Sequence, residues 1–229
     1  MASLPPAPFA PMTEATHYAR GYCCGNQCRH CPFEYDAVEG YPTPATPLHL
    51  RRAVPADVRA LVPLARQTFA AAYIAYQDDV AANFLPYLET AFTPAVFAKA
   101  LADTTQAWWV AADVDGRPWG YAVAQETPGH EHGGVMLKRL YVRRQARGLG
   151  LGRALLGAAE AFAKTRGAGA VWLETYVGAP ALESFYVPNG YARVGTDYWT
   201  LGTQRFEVAV MARAVLQASG LQDETPQGQ

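Results

Sequence analysis

The chain has 229 residues, half of them hydrophobic and 17% charged, enough apolar side chains for one sizeable core and too few charges for a disordered polar chain. Nineteen basic against twenty acidic residues leave a net charge of -1, so no global field draws the protein to nucleic acid or to an anionic membrane. No apolar run approaches the roughly 18 residues of a membrane span, and the opening Met-Ala-Ser-Leu-Pro-Pro-Ala-Pro lacks the regions of a signal peptide; the expected location is cytoplasmic.

All four cysteines, Cys23, Cys24, Cys28 and Cys31, lie in one short block, Gly21-Tyr22-Cys23-Cys24-Gly25-Asn26-Gln27-Cys28-Arg29-His30-Cys31-Pro32. A disulfide scaffold belongs to small exported chains, so thiols this crowded predict a metal or redox site, with zinc or an iron–sulfur cluster as the occupant. Adjacent Cys23 and Cys24 project differently, which leaves His30 as a substitute ligand; the plainer alternative is a reduced, metal-free loop. The spacing Cys24-x-x-x-Cys28-x-x-Cys31 is also used by radical-SAM enzymes, but residues 1–45 are far too short for such a barrel. The block resembles a short bacterial domain of unassigned function. Gly40-Tyr41-Pro42-Thr43-Pro44 then reads as a linker, so residues 1–45 form the cysteine-rich segment, 46–217 the body and 218–229 a polar tail without a core.

In the body, Leu48-His49-Leu50-Arg51 predicts a strand, and Pro55 opens a helix running to about Tyr73. Helix is expected again from Asp78 to about Ala91, and from Phe97 to Ala102 after Thr93 and Pro94 as cap and first turn. Ala107–Ala112 and Trp119–Gln125 form a hairpin about Asp115-Gly116. Val135–Val142 is a strand whose apolar residues Leu137, Leu140 and Val142 break period two, which a bulge repairs. Leu151, Leu155, Ala158 and Phe162 mark one helix face, followed by a strand at Ala170–Tyr176, a short helix after Pro180, and strands at Ala192–Leu201 and Arg205–Arg213. This order predicts an α+β fold with a mixed, mostly antiparallel sheet.

Between the bulged strand and the long helix stands Arg147-Gly148-Leu149-Gly150-Leu151-Gly152-Arg153. Glycines that expose backbone N–H groups, followed by a helix N-terminus, suit an anion. From Lys138 to Arg153 there are six cations and no acid, so a polyanion is favoured. A Rossmann loop would sit near the start of a βαβ unit, and the nucleotidase Gly-x-x-x-x-Gly-Lys pattern is absent, which leaves a coenzyme A pyrophosphate loop against an incidental basic turn.

Arg147-x-x-Gly150-x-Gly152 after Leu140-Tyr141-Val142 resembles the Arg/Gln-x-x-Gly-x-Gly/Ala motif of the GNAT N-acetyltransferase superfamily. Leu50-Arg51-Arg52-Ala53, and Phe185-Tyr186 with Asn189-Gly190-Tyr191, resemble other segments of the same superfamily, over about residues 48 to 215. The resemblance implies the GNAT fold and acetyl-CoA as co-substrate. Its pyrophosphate would lie on Arg147, Gly148, Leu149, Gly150, Gly152 and Arg153, its pantetheine between Leu140 and Val142 and the next strand. Weaker matches, among them Tyr87-Leu88-Glu89-Thr90 and Val171-Trp172-Leu173, resemble the bacterial spermidine/spermine N-acetyltransferases, with Ala179 and Asp197 departing from that pattern.

Acetyl transfer to an amine needs a base, because an alkyl ammonium has a pKa of about 10.4, and an acid for the departing thiolate. The resemblance puts Tyr186 in the acid's place; a core tyrosine packed on Phe185 is the alternative. Glu174 and Glu126, with His130 and His132, are the candidate bases. No cysteine follows Cys31 and no Gly-x-Ser-x-Gly occurs, so direct attack in a ternary complex is expected. The acceptor would be a small primary amine, with a polyamine among the candidates, and no nucleic acid or membrane partner; a homodimer is allowed. The different reading is a non-catalytic acetyl-CoA-binding or metal- or redox-responsive module.

Overall fold

The computed structural model describes residues 13–215 except 21, 27, 29, 30, 36 and 133. His30 and the polar tail from residue 218 therefore lie outside the described residues.

Seven strands make one sheet, β1 (His49–Arg52), β2 (Gln106–Ala112), β3 (Pro118–Glu126), β4 (Val135–Val142), β5 (Ala170–Tyr176), β6 (Ala192–Leu201) and β7 (Gln204–Ala214). Their order is β1-β2-β3-β4-β5-β7-β6, and every neighbouring pair is antiparallel except β4 with β5. The expected α+β class and mixed sheet are present. Six helices flank it among the described residues: α1 (Glu14–Arg20), α2 (Val58–Tyr73), α3 (Leu85–Ala91), α4 (Pro94–Ala102), α5 (Leu151–Thr165) and α6 (Pro180–Tyr186).

Local chemistry sets the helix ends. A one-turn 3-10 helix at Pro55–Asp57 leads into α2, and the Asp57 carboxylate accepts from Val54 N–H at 2.8 Å while Arg51 grips it through two nitrogens at 2.7 Å each. Thr93 Oγ1 accepts from Val96 N–H at 3.2 Å, so α4 starts at Pro94 with the expected cap and first turn, because Pro at the first helical position has no N–H to satisfy. The stretch before α3 is a π turn, Val80–Phe84, rather than continuous α-helix.

Alternation along the strands sorts the core onto two faces. Trp108, Val110, Tyr121 and Val123 pack with Leu61, Leu64 and Phe69 of α2. Ala107, Trp109, Ala122 and Ala124 pack with Leu155, Leu156 and Ala159 of α5. The predicted bulge sits in β4. Val123 pairs with Arg139 but Ala124 with Leu137, leaving Lys138 as the extra residue. Leu137 and Leu140 therefore both face α5, and Arg139 and Tyr141 face α2 with Val123 and Tyr121.

The cysteine-rich segment is packed against the body rather than strung beside it. Tyr18, Cys23, Cys31, Phe33 and Val38 are buried in the same cluster as Leu61, Phe69 and Phe84, with the Tyr18 ring edge-on to Phe84 at 5.7 Å. The helix α1 was not foreseen. The proline-rich stretch near residue 45 remains extended, yet it marks no break in the core.

Candidate active site

The loop after β4 has the conformation its glycines foretell. A 3-10 turn at Arg144–Ala146 leads into it, and Gly148 and Gly150 both adopt φ of 80°, a left-handed region costly for other residues. Gly152 answers a different demand, since a Cβ there would stand 3.1 Å from the Phe185 ring. The first bonded amide of α5 is Ala154 N–H, donating to Gly150 C=O at 3.0 Å, so the N–H groups of Leu151, Gly152 and Arg153 point out of the helix end, where its dipole favours negative charge. Leu149 is 52% exposed. A groove of about 430 Å³ opens beside the first turns of α5, lined by Arg153, Leu156 and Gly157 and opposite them Asn189 and Gly190.

Arg147 is held differently from its neighbours. Its Nε donates to Val142 C=O at 3.2 Å and its Nη2 lies 3.4 Å from Glu34 Oε2. The guanidinium braces the strand end, and the outward N–H groups are what remain for an anion.

Beside this loop the sheet opens. Strands β4 and β5 are paired only through Val135 with Val171 and Met136 with Trp172, after which they diverge and leave a gap flanked by Leu140 and Val142. The two faces meet there. Tyr186, at the end of α6, packs on the α5 face with Tyr191 and Leu155; Glu174 lies on the α2 face, because it alternates with Val171 and Leu173, which face α5. Tyr73 of α2 lies within electrostatic range of both Glu174 and Tyr186, so the two faces approach each other at this point.

The site's groups are tuned by burial. Tyr186 is 9% exposed, and desolvation raises its pKa far above that of an ordinary phenol, which keeps it a proton donor. Desolvation also raises Glu174; Asp197 pushes it the same way, and His130 and His132 hold it back in part. His130 is exposed and its ring stacks on Trp172 at 4.2 Å, which brings the His130 and His132 rings near Glu174. The structure does not bring Glu126 to this place. It forms an ion pair with Arg166 at 3.0 Å, just past the C-terminal end of α5, while the anion loop is at the N-terminal end. Tyr73 went unremarked in sequence, hidden within an apolar helix stripe, and Asp197 stood out only as a departure from a resemblance.

The four thiols form two pairs. Cys24 and Cys28 Sγ are 3.5 Å apart, Cys23 and Cys31 3.7 Å, and among the described residues no three Cys, His, Asp or Glu side chains are grouped as a metal centre needs. The expectation of zinc or an iron–sulfur cluster on Cys23, Cys24, Cys28 and Cys31 finds no support in this arrangement of the described residues, and the substitute ligand His30 lies outside them. The thiols differ in reactivity. A hydrogen bond from the Asn26 backbone lowers the Cys24 pKa, whereas burial pushes Cys31, 1% exposed, up to about 11. Limited alkylation at pH 8 followed by peptide mass mapping should therefore label Cys24 first and Cys31 last, since the thiolate is the nucleophile; the reverse order would contradict the described packing.

Residues 70–191 match the model of the Acetyltransferase (GNAT) family, and residues 5–37 match a family of unknown function. A streptothricin acetyltransferase from Streptomyces lavendulae is 35% identical over 96 residues, 42% of this chain and 49% of the relative; the match thus spans about half the length of that curated relative. Among solved structures, an N-acetyltransferase from Thermoplasma acidophilum in complex with coenzyme A has a TM-score of 0.62 at 17% identity, covering 74% of this chain and 99% of that one. A spermidine N-acetyltransferase chimera involving Vibrio cholerae has a TM-score of 0.53 at 17% identity, covering 74% and 96%. At these identities the structural likenesses show the fold alone. No helix among the described residues is long and apolar enough to cross a membrane.

Proposed function

The chain belongs to the Acetyltransferase (GNAT) family, and from that premise we propose that it transfers acetyl from acetyl-CoA to a primary amine by direct attack in a ternary complex. The observation that carries this reading is the gap between β4 and β5, with an outward row of N–H groups at one end, Tyr186 on one face and Glu174 on the other. Acetyl-CoA suits the loop side: pyrophosphate on the N–H groups of Leu151 to Arg153, the nucleotide end along the groove beside Arg153, and pantetheine in the gap against Leu140 and Val142. An amine entering from the α2 face then meets the thioester through the sheet.

The chemistry uses this chain's own groups. Glu174 takes the ammonium proton, its raised pKa making it a better base than an ordinary carboxylate. The freed nitrogen attacks the acetyl carbonyl, and as the N–C bond is made and the C–S bond breaks, Tyr186 gives its proton to the sulfur. Two carboxylates, Glu174 and Asp197, beside the Trp172, Tyr73 and Tyr176 rings favour an acceptor with more than one cationic nitrogen. Spermidine and streptothricin therefore both belong in the acceptor panel, the second because of the relative from Streptomyces lavendulae.

Release of free CoA across such a panel tests the reading, and binding of acetyl-CoA with no turnover on any amine would leave a coenzyme-binding module instead. Glu174→Gln should lower kcat by about 10²-fold or more, the usual weight of a general base. The pH profile supplies the sign. Glu174 works ionised, and its pKa is raised, so wild-type activity should fall on the acid side at a pH above the ordinary carboxylate range, and Glu174→Gln should lose that limb. An unchanged limb in the variant would assign it to another group.

A further inference from the structure

The cysteine-rich segment makes a charged contact with the body at the coenzyme loop. Glu34 is three residues beyond Cys31 and 2% exposed. Its carboxylate lies 3.4 Å from Arg147 Nη2 and accepts from the Arg144 backbone N–H, with Arg143 and Arg144 adding to the local positive field. Its backbone carbonyl accepts from Gln145 Nε2. Every residue of the turn that leads into the loop, apart from Ala146, is thus touched by Glu34. Arg147 in turn donates to Val142 C=O, so one guanidinium joins the segment, the end of β4 and the start of the glycine loop.

Several features say that this contact is imposed rather than incidental. Glu34 and Tyr35 are two consecutive non-glycine residues with φ of 54° and 60°, a costly conformation that persists only where the surroundings dictate it. Pro32, Phe33 and Val38 around them are buried. Burial of the carboxylate opposes its ionisation, yet the guanidiniums keep it where no solvent reaches. Tyr41, further along the same segment, accepts from Arg117 Nη2 at 2.6 Å and its ring stacks on Tyr35 at 4.3 Å, which anchors the turn on its far side.

We propose that Glu34 is a positioning residue for acetyl-CoA: acting through Arg147, it fixes the entry of the Arg147–Gly152 loop so that the N–H groups of α5 face the pyrophosphate. The inference rests on the coenzyme reading above. It also gives the segment that matches a family of unknown function a role in this chain, as a strut beneath the coenzyme loop. Glu34 approaches from the buried side, opposite the exposed Gly148 and Leu149, so its charge holds the loop without standing in the pyrophosphate's place.

The test is a double-mutant cycle on the full chain, with acetyl-CoA affinity measured by calorimetry and KM and kcat measured separately. Glu34→Gln keeps the shape and an acceptor for Arg144 N–H but removes the charge that orders Arg147. Expected are an affinity about tenfold weaker, a KM for acetyl-CoA raised to match, kcat at saturation retained, and a melting temperature equal or higher because a buried charge is gone. Arg147→Ala should weaken binding on its own, and Glu34→Gln added to it should change nothing more. Equal losses in both backgrounds would mean that Glu34 acts as general scaffolding, and unchanged or tighter binding in Glu34→Gln would mean that it props nothing or competes with the coenzyme; either result overturns the inference. A wild-type chain that does not bind acetyl-CoA overturns the coenzyme reading and this inference with it, whereas wild-type binding matched by Glu34→Gln overturns this inference alone.

Discussion

Gly150→Glu should weaken acetyl-CoA binding by about 10³-fold while the protein stays folded. A Cβ at position 150 meets no atom within 4 Å, so the cost to the fold is the left-handed backbone alone, about 1–2 kcal/mol against a typical stability of 5–15. The cost to binding is electrostatic. A carboxylate at about 4 Å from one phosphate charge opposes it by about 4 kcal/mol at an effective dielectric of 20, and each 1.4 kcal/mol is tenfold. Gly150→Ala separates the two effects, since it carries the strain without the charge and should bind within about tenfold of wild type. Calorimetry on both variants decides; a folded Gly150→Glu protein with wild-type affinity would remove the anion-site reading altogether.

Tyr186→Phe should lower kcat by about 10²-fold and leave acetyl-CoA affinity nearly intact. The ring keeps its packing against Phe185 at 5.0 Å and Tyr191 at 5.8 Å, so only the proton donor is lost. That donor matters at the one moment when sulfur carries negative charge, which is why the loss falls on turnover and not on ground-state binding. Wild-type turnover in the variant would return Tyr186 to the role of a core aromatic.

Much of this arrangement was legible in the chain because it is local. The strand, glycine turn and helix from Val135 to Thr165 follow from period, φ demands and capping, and the misplaced apolar period of Leu137, Leu140 and Val142 announced the bulge. The choice between Glu126 and Glu174 was not local. Glu126 ends β3 and Glu174 lies two residues short of the end of β5, and what separates them is that β4 parts from β5 after two residue pairs while β3 and β4 stay zipped to Glu126. The docking of the cysteine-rich segment was hidden for the same reason. Prolines after residue 40 signal an extended chain, but nothing in composition says that Phe33 and Cys31 turn back onto α2, or that Glu34 reaches a loop 113 residues away in sequence. Side chains that meet only through tertiary contact, Tyr73 and Asp197 among them, leave no periodic trace.

The bulge at Lys138 also fixes how this strand can vary through descent. Substitutions along β4 exchange one side chain for another in place. Deleting Lys138 would remove only the extra residue and leave Leu137, Arg139 and Leu140 on their present faces, whereas a deletion at 141 would be absorbed by closing the bulge and would turn residues 138–140 over. Arg139, now 4.4 Å over the Phe92 ring, would turn toward the apolar surface of α5, and the Leu140 that flanks the gap would turn away. Loss of one residue is therefore to be looked for at 138 itself, while the stretch from Arg139 to Val142 is inherited together with the gap that it flanks.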